Sequence, residues 1–165
     1  GSGRQVELEV QGQDVEIERT VLEELADPLL HLLRNAIDHG IEPAQVRRDR
    51  GKTPWGTVTV GAERSDHELK FTVADDGAGF DLDALRRAAL GCGLAVPDTD
   101  AAVAQLVFEP GLSTAAAVTP ISGRGVGLDV VRRRVEAVSG QIEVHTRAGL
   151  GTTFEIRVPL GPAAP

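Results

Sequence analysis

The stretch His31-Leu32-Leu33-Arg34-Asn35-Ala36-Ile37-Asp38-His39-Gly40 decides how the rest of the chain reads. It follows Pro28, a residue suited to a first helical position, and it ends on a glycine that can stop a helix. At about 100° per residue with His31 at zero, Asn35 falls at about 40°, Asp38 at about 340° and His39 at about 80°. Two imidazoles, an amide and a carboxylate thus converge on one stripe, while Leu29, Leu30, Leu33, Ala36 and Ile37 cover much of the opposite side. An Asn oxygen in such a stripe can ligate Mg²⁺, a hard cation that keeps waters and shares phosphate oxygens. His31 and His39 can contact a phosphate or position a proton acceptor. Read alone, the stripe fits the solvated face of an ordinary amphipathic helix equally well.

Upstream, Val6, Leu8 and Val10 alternate with polar residues, and Val15 and Ile17 repeat the pattern after Gly12-Gln13-Asp14, which predicts an opening hairpin. Thr20 is placed to cap a helix carrying Val21, Leu22 and Leu25, and Asp27-Pro28 restarts the chain. Downstream, residues 43–50 read as a short basic helix closed by Gly51. Residues 57–62 and 68–74 read as two strands around Ser65-Asp66-His67. Helices are expected over residues 82–89 behind Asp81, from Asp98 or Thr99 to about Val107, and over 125–138. Residues 141–145 and 152–158 predict a last hairpin around Gly149-Leu150-Gly151. Between Phe108 and Gly123 no period holds, and Pro110, Gly111 and Pro120 interrupt the chain. A loop of roughly 15 residues is a length usually reserved for lids and binding loops. The expected class is α+β, a two-layer sandwich with a mixed sheet of about five or six strands covered by helices.

The chain has 165 residues, of which 41% are hydrophobic and 25% charged, the balance of one soluble globular domain. Lys and Arg number 17 against 25 Asp and Glu, a net charge of −8, which argues against a nucleic-acid partner. No apolar run reaches the ~18 residues of a membrane span, so membrane insertion is not expected. Cys92 is the single cysteine, which excludes an internal disulfide and is compatible with the cytoplasm, the expected location. Residues 1–3 read as a cloning scar, 4–160 as the domain and 161–165 as a disordered tail.

Two further segments bear on chemistry. Asp75-Asp76-Gly77-Ala78-Gly79 closes a strand. Its first carboxylate can accept a hydrogen bond from an exocyclic amine such as adenine N6, and its glycines let the backbone approach a flat ring. Ser122-Gly123-Arg124-Gly125-Val126-Gly127-Leu128 leads into a helix and exposes N–H groups at a positive helix end, where phosphate is favoured. It has neither the Walker spacing nor the dinucleotide fingerprint. Each segment alone also fits an ordinary turn or hinge.

Taken in order, these segments resemble the CheA-type chemotaxis histidine kinases. Residues 31–40 look like their N box, and residues 75–79 match their first glycine box. Phe108-Glu109-Pro110-Gly111-Leu112-Ser113-Thr114 resembles their F box. Residues 122–129 match the second glycine box, and Gly151-Thr152-Thr153-Phe154 the closing strand motif. The resemblance covers roughly residues 5–160. The paired His-x-x-Arg-Asn and Asp-His-Gly elements are specific for that group within the wider superfamily of histidine kinase, gyrase and MutL ATP-binding domains.

The resemblance implies an ATP-binding catalytic domain with a mobile ATP lid over residues 108–122. It implies that Asn35 ligates Mg²⁺, that Asp75 recognises the adenine amine with Thr153 nearby, and that Gly77 and Gly79 shape the adenine pocket. Gly123, Arg124, Gly125, Val126, Gly127 and Leu128 would offer donors to the phosphates. His31, Asp38 and His39 would lie near the triphosphate, His31 against the γ-phosphate. The reaction would carry the γ-phosphoryl group of Mg-ATP to a histidine on a separate phosphoacceptor domain in two-component signalling. The parent would be a cytoplasmic homodimer working with receptors, an adaptor and response regulators. His31, His39, His67 and His145 lack the surroundings of a phosphoacceptor helix, so the isolated piece is not expected to autophosphorylate. The chain departs from the family pattern at Ala78 and in the lid, at Ala115-Ala116-Ala117 and Pro120, with no Lys or Arg from Phe108 to Gly123. Weaker nucleotide handling is therefore expected. The alternatives are a degenerate nucleotide-binding scaffold, or a conformational ATPase of the gyrase or MutL kind, for which residues 30–34 before Asn35 offer no water-activating acid.

Overall fold

The computed structural model describes residues 4–112 and 127–160. Within them the elements run β1 (Val6–Gln11), α1 (Arg19–Asn35) with a wide π turn (Ala36–Gly40), α2 (Ala44–Asp49), β2 (Gly56–Arg64) and β3 (Glu68–Asp75). Then come α3 (Leu82–Gly91), α4 (Asp100–Ala104) continued by a 3₁₀ turn (Gln105–Phe108), α5 (Leu128–Glu136), β4 (Gln141–Arg147) and β5 (Gly151–Pro159). The five strands form one sheet in the order β1-β2-β3-β5-β4. β1 runs parallel to β2, and the other pairs are antiparallel. The mixed sheet with helices on one face is the expected α+β sandwich.

Strand alternation sends Val58 of β2, Leu69, Phe71 and Val73 of β3 and Phe154, Ile156 and Val158 of β5 to one face. That face meets Leu25 and Leu32 of α1, Leu85 and Ala89 of α3 and Leu128, Val131 and Val135 of α5 in one core. Truncating one of these leucines to Ala should cost about 2–5 kcal/mol. The opposite face carries Lys70, Glu143, His145, Glu155 and Arg157, tied by ion pairs such as Lys70–Glu155 at 3.3 Å and Arg157–Glu155 at 3.0 Å.

Four local expectations are corrected. The opening hairpin does not form: residues 12–18 make no strand, and β1 takes β2 as its partner, Val6 opposite Gly56 through Gln11 opposite Gly61. Val15 and Ile17 alternate because they lie against the margin of the core, a pattern that extended loop and strand share. The helix does not restart at Pro28, because α1 passes through it. Leu25, Pro28 and Leu32 form its buried stripe, and their packing offsets the hydrogen bond that a mid-helix proline removes. Thr20 does not cap this helix: the N-cap is Glu18, and no side chain closes it. Finally, Leu30 is 56% exposed rather than facing the core, whereas Leu29, Leu33 and Ile37 pack against it and Ala36 lies in it. Elsewhere Asp81 and Thr99 do cap their helices, accepting from the Ala84 and Ala102 amides at 3.0 and 3.2 Å. Residues 1–3 and 161–165 lie outside the described residues.

Candidate functional site

α1 is amphipathic up to its last residue. Its buried stripe leaves His31 and Asn35 half-buried at the rim and Arg34 exposed. The helix then widens: the Ile41 amide donates to the Ala36 carbonyl at 2.9 Å, five residues back. Such π turns recur at functional sites. Here the turn moves Asp38, half-buried, and His39, exposed, off the simple helical projection that holds through Asn35. The Asn35 side-chain amide makes no hydrogen bond to the described residues. Burial, and secondarily the neighbouring Arg34 charge, hold His31 below its ordinary pKa.

Gly40 joins this helix end to the turn after β3. Its carbonyl accepts from the Ala78 amide at 2.9 Å, and a Cβ added at Gly40 would lie 2.8 Å from Asp75 Oδ2. The Asp75 carboxylate is held by the Gly77 amide, which donates to Oδ1 at 2.9 Å, and by the Thr152 amide. Burial nevertheless dominates, and with the Asp76 and Glu42 charges nearby it pushes Asp75 up to about 6. The turn has no room for side chains at its two glycines. A Cβ on Gly77 would stand 1.8 Å from the Gly40 carbonyl oxygen, and one on Gly79, at φ +78°, would stand 2.4 Å from the Arg147 oxygen. The β4–β5 turn closes the group, the Gly149 amide donating to the Ala78 carbonyl at 2.7 Å.

Thr153 does not share this corner. It pairs with Ala74 and faces the outer surface, whereas Thr152 is buried, pairs with Asp75 and shares its face. The signal was in the sequence: counting back by two from Val158, Ile156 and Phe154 gives Thr152, and counting forward from Leu69, Phe71 and Val73 gives Asp75.

Three charged residues behind the turn were missed. Glu42, 6% exposed, and Arg47, 1% exposed, form an ion pair at 2.8 Å. The Arg47 guanidinium also donates to the Thr53 carbonyl at 2.7 Å, the Asp76 carbonyl at 3.2 Å and Asp76 Oδ2 at 3.2 Å. Lys52 Nζ donates to Glu42 Oε2 at 2.7 Å and to the Asp76 and Gly77 carbonyls at 3.1 and 2.9 Å. Asp76 Oδ1 accepts from the Thr57 amide at 2.8 Å. Burial works to raise Glu42, but the Lys52 hydrogen bond and the Lys52 and Arg47 charges outweigh it and hold the carboxyl below its ordinary value.

On the far side, Phe108 and Leu112 are buried, and Phe108 meets the Phe154 ring edge-on at 6.2 Å, so the start of the expected lid is anchored in the core. Gly123, Arg124, Gly125 and Val126 lie outside the described residues, as does the rest of the lid from Ser113. Gly127 is the N-cap of α5 without a side-chain hydrogen bond, and Leu128 is buried beneath it. Among the described residues the one cluster of three metal-ligating side chains is Glu143, His145 and Glu155, on the outer face and apart from Asn35.

The chain matches the family described as "Histidine kinase-, DNA gyrase B-, and HSP90-like ATPase" over residues 22–162. It belongs to that family. Within it this is a CheA-type ATPase domain. It is 47% identical to "Chemotaxis protein CheA" of Halobacterium salinarum over 95% of this chain and 24% of that protein. It is 45% identical to the protein of the same name from Klebsiella aerogenes, again over 95% and 24%. With "Sensor histidine kinase CheAY" of Helicobacter pylori it shares 38% over 96% of this chain and 20% of that one. The chain therefore spans about a quarter or less of the length of the curated relatives it matches. Solved structures share the fold. The histidine kinase domain of the Erythrobacter litoralis EL346 blue-light activated histidine kinase superposes with a TM-score of 0.58 at 18% identity, covering 94% of this chain and 55% of that one. A catalytic domain of histidine kinase ThkA gives 0.56 at 17%, covering 96% and 79%. Among the described residues no helix is long and apolar enough to cross a membrane.

Proposed function

We propose that this domain binds Mg-ATP and supplies the γ-phosphoryl group to a histidine on a separate phosphoacceptor domain. The observation that carries the reading is the Asp75 carboxylate, oriented by the Gly77 and Thr152 amides and seated against Gly40 at the end of the helix that bears Asn35. A carboxylate fixed by backbone donors accepts from the adenine amine without reorganising. The half-buried Asn35, its amide not engaged by the described residues, suits Mg²⁺: one neutral oxygen ligand is enough for an ion that keeps its waters and takes phosphate oxygens. When bound, Mg²⁺ supplies neutralisation of the phosphate charge.

The chain's own residues then do three things. Asp75, Gly77 and Gly79 hold the base. The first-turn amides of α5 after Gly127, together with Gly123, Arg124, Gly125, Val126 and Leu128, donate to the phosphates at a positive helix end. His31 hydrogen-bonds at the γ-phosphate end of the site, with Asp38 and His39 beside it. The acceptor imidazole is nucleophilic when neutral, so positioning and charge neutralisation carry the reaction. The work is cytoplasmic. The partners are those of the CheA-named relatives' signalling class: a phosphoacceptor domain, a homodimeric parent, receptors, an adaptor and response regulators. The test is labelled Mg-ATP. Alone, the domain is expected to bind nucleotide and stay unlabelled. Mixed with a CheA phosphoacceptor domain, it is expected to label that partner's histidine. Thermal stability unmoved by millimolar Mg-ATP would overturn the reading.

A further inference from the structure

Lys52 lies outside every motif named above, yet its ammonium makes three hydrogen bonds, all directed at one place. Glu42 Oε2 takes one, and the Asp76 and Gly77 carbonyls take the others. These carbonyls belong to the two residues after Asp75, and the Gly77 amide is the group that orients the Asp75 carboxylate. Arg47, itself buried against Glu42, grips the same turn through the Asp76 carbonyl and Oδ2. The turn thus hangs from two cations that share one buried anion. Thr57, Gly40 and Gly149 fix its remaining polar groups. The cations lie on α2 and the loop after it, outside the helix end, turn and strands that form the nucleotide corner.

We propose that Lys52, backed by Glu42 and Arg47, is a positioning residue for base selection: it sets the Asp76–Gly77 peptides and so aims the Asp75 carboxylate. This rests on the Mg-ATP reading above. A carboxylate aimed by a rigid turn discriminates against a purine that lacks the exocyclic amine, because an oxo group in that position leaves two acceptors facing each other. A turn that loses its ammonium tether lets the Gly77 amide drift. Affinity for ATP then falls toward that for the oxo analogue, while contacts to ribose and phosphates are unchanged.

The experiment compares ATP with inosine triphosphate, both with Mg²⁺, by calorimetric titration of the domain. The wild type is expected to prefer ATP by a factor on the order of 10². Lys52→Met keeps the aliphatic stem and removes the three donors. It should lower that preference roughly tenfold, leaving inosine triphosphate affinity within about twofold. Lys52→Arg, which restores a cation to the same carbonyls, should recover most of the preference. Lys52→Gln, titrated at 10 °C or so, serves if the Met variant melts too low to measure. An unchanged ratio in the substituted protein overturns the proposal, as does an equal loss of both nucleotides, the mark of a merely structural role. A wild type that ignores both nucleotides instead sinks the Mg-ATP reading itself.

Discussion

The Gly40 carbonyl accepts the Ala78 amide hydrogen at 2.9 Å, and this one bond sews the end of the Asn35 helix to the turn that carries Asp75. Residues 38 positions apart in sequence thereby meet. Metal ligation and base recognition, the two roles proposed here, depend on the same backbone contact, which leaves no room for a Cβ at residue 77.

Gly77→Ala tests that contact. The added methyl would stand 1.8 Å from the Gly40 oxygen, so the turn or the helix end must move. A stability loss of about 1–3 kcal/mol, the range of overpacking, is expected in denaturant titration, with nucleotide binding lost. Gly51, at φ +76° but with open space around its Cβ position, is the control: Gly51→Ala should cost only the backbone strain of a positive φ and keep binding.

Asp75→Asn should stabilise the domain without nucleotide while removing its preference for adenine. Burial lifts the Asp75 carboxyl from 3.8 to about 6, so the folded state holds this proton more tightly than the unfolded chain does. The associated stability is present below about pH 4 and is lost as pH rises through 6. The variant's advantage over wild type should therefore be absent at pH 4 and grow to as much as about 3 kcal/mol at pH 7. Urea melts of both proteins across that range check it. The difference also cancels His31, whose lowered pKa acts in the opposite sense.

The same proton governs binding. Only the ionised Asp75 accepts from the adenine amine at full strength, so ATP affinity should weaken as pH falls below about 6. Asp75→Asn should flatten this profile. A wild-type profile with no inflection between pH 5 and 7 in calorimetric titration would contradict the assignment.

Arg47→Met removes one partner of a buried ion pair and leaves Glu42 Oε1 without its cation at 6% exposure, while Lys52 still holds Oε2; the Thr53 and Asp76 carbonyls lose their donor as well. A loss of about 3–5 kcal/mol is expected. Arg48→Met, one residue on and exposed, should change stability by no more than about 0.5 kcal/mol. Thermal melts of the two variants side by side measure the contrast.

Asn35→Ala should abolish the Mg²⁺-dependent part of ATP binding with little change in apo stability, since Asn35 is half-buried and its amide bonds to none of the described residues. Titrations with and without Mg²⁺ separate the two terms.

The sequence alone was enough for the strand alternation of β2, β3 and β5, the side of α1 that bears His31 and Asn35, and the glycines of the turn. Each of these is a periodicity or a conformational demand that a residue carries with it. Period two even assigns Thr152, not Thr153, to the face of Asp75. Three-dimensional contact alone decided the rest. The alternation in β1 and in residues 15–17 is the same, yet only β1 pairs, because its partner lies some 50 residues on in β2. Arg47, Arg48 and Arg50 are alike on a six-residue helix and its end, too short for a periodic signal, and only packing against Glu42 and Asp76 picks out Arg47 for burial. A charge is buried where its partners converge, and that convergence is a property of the folded chain.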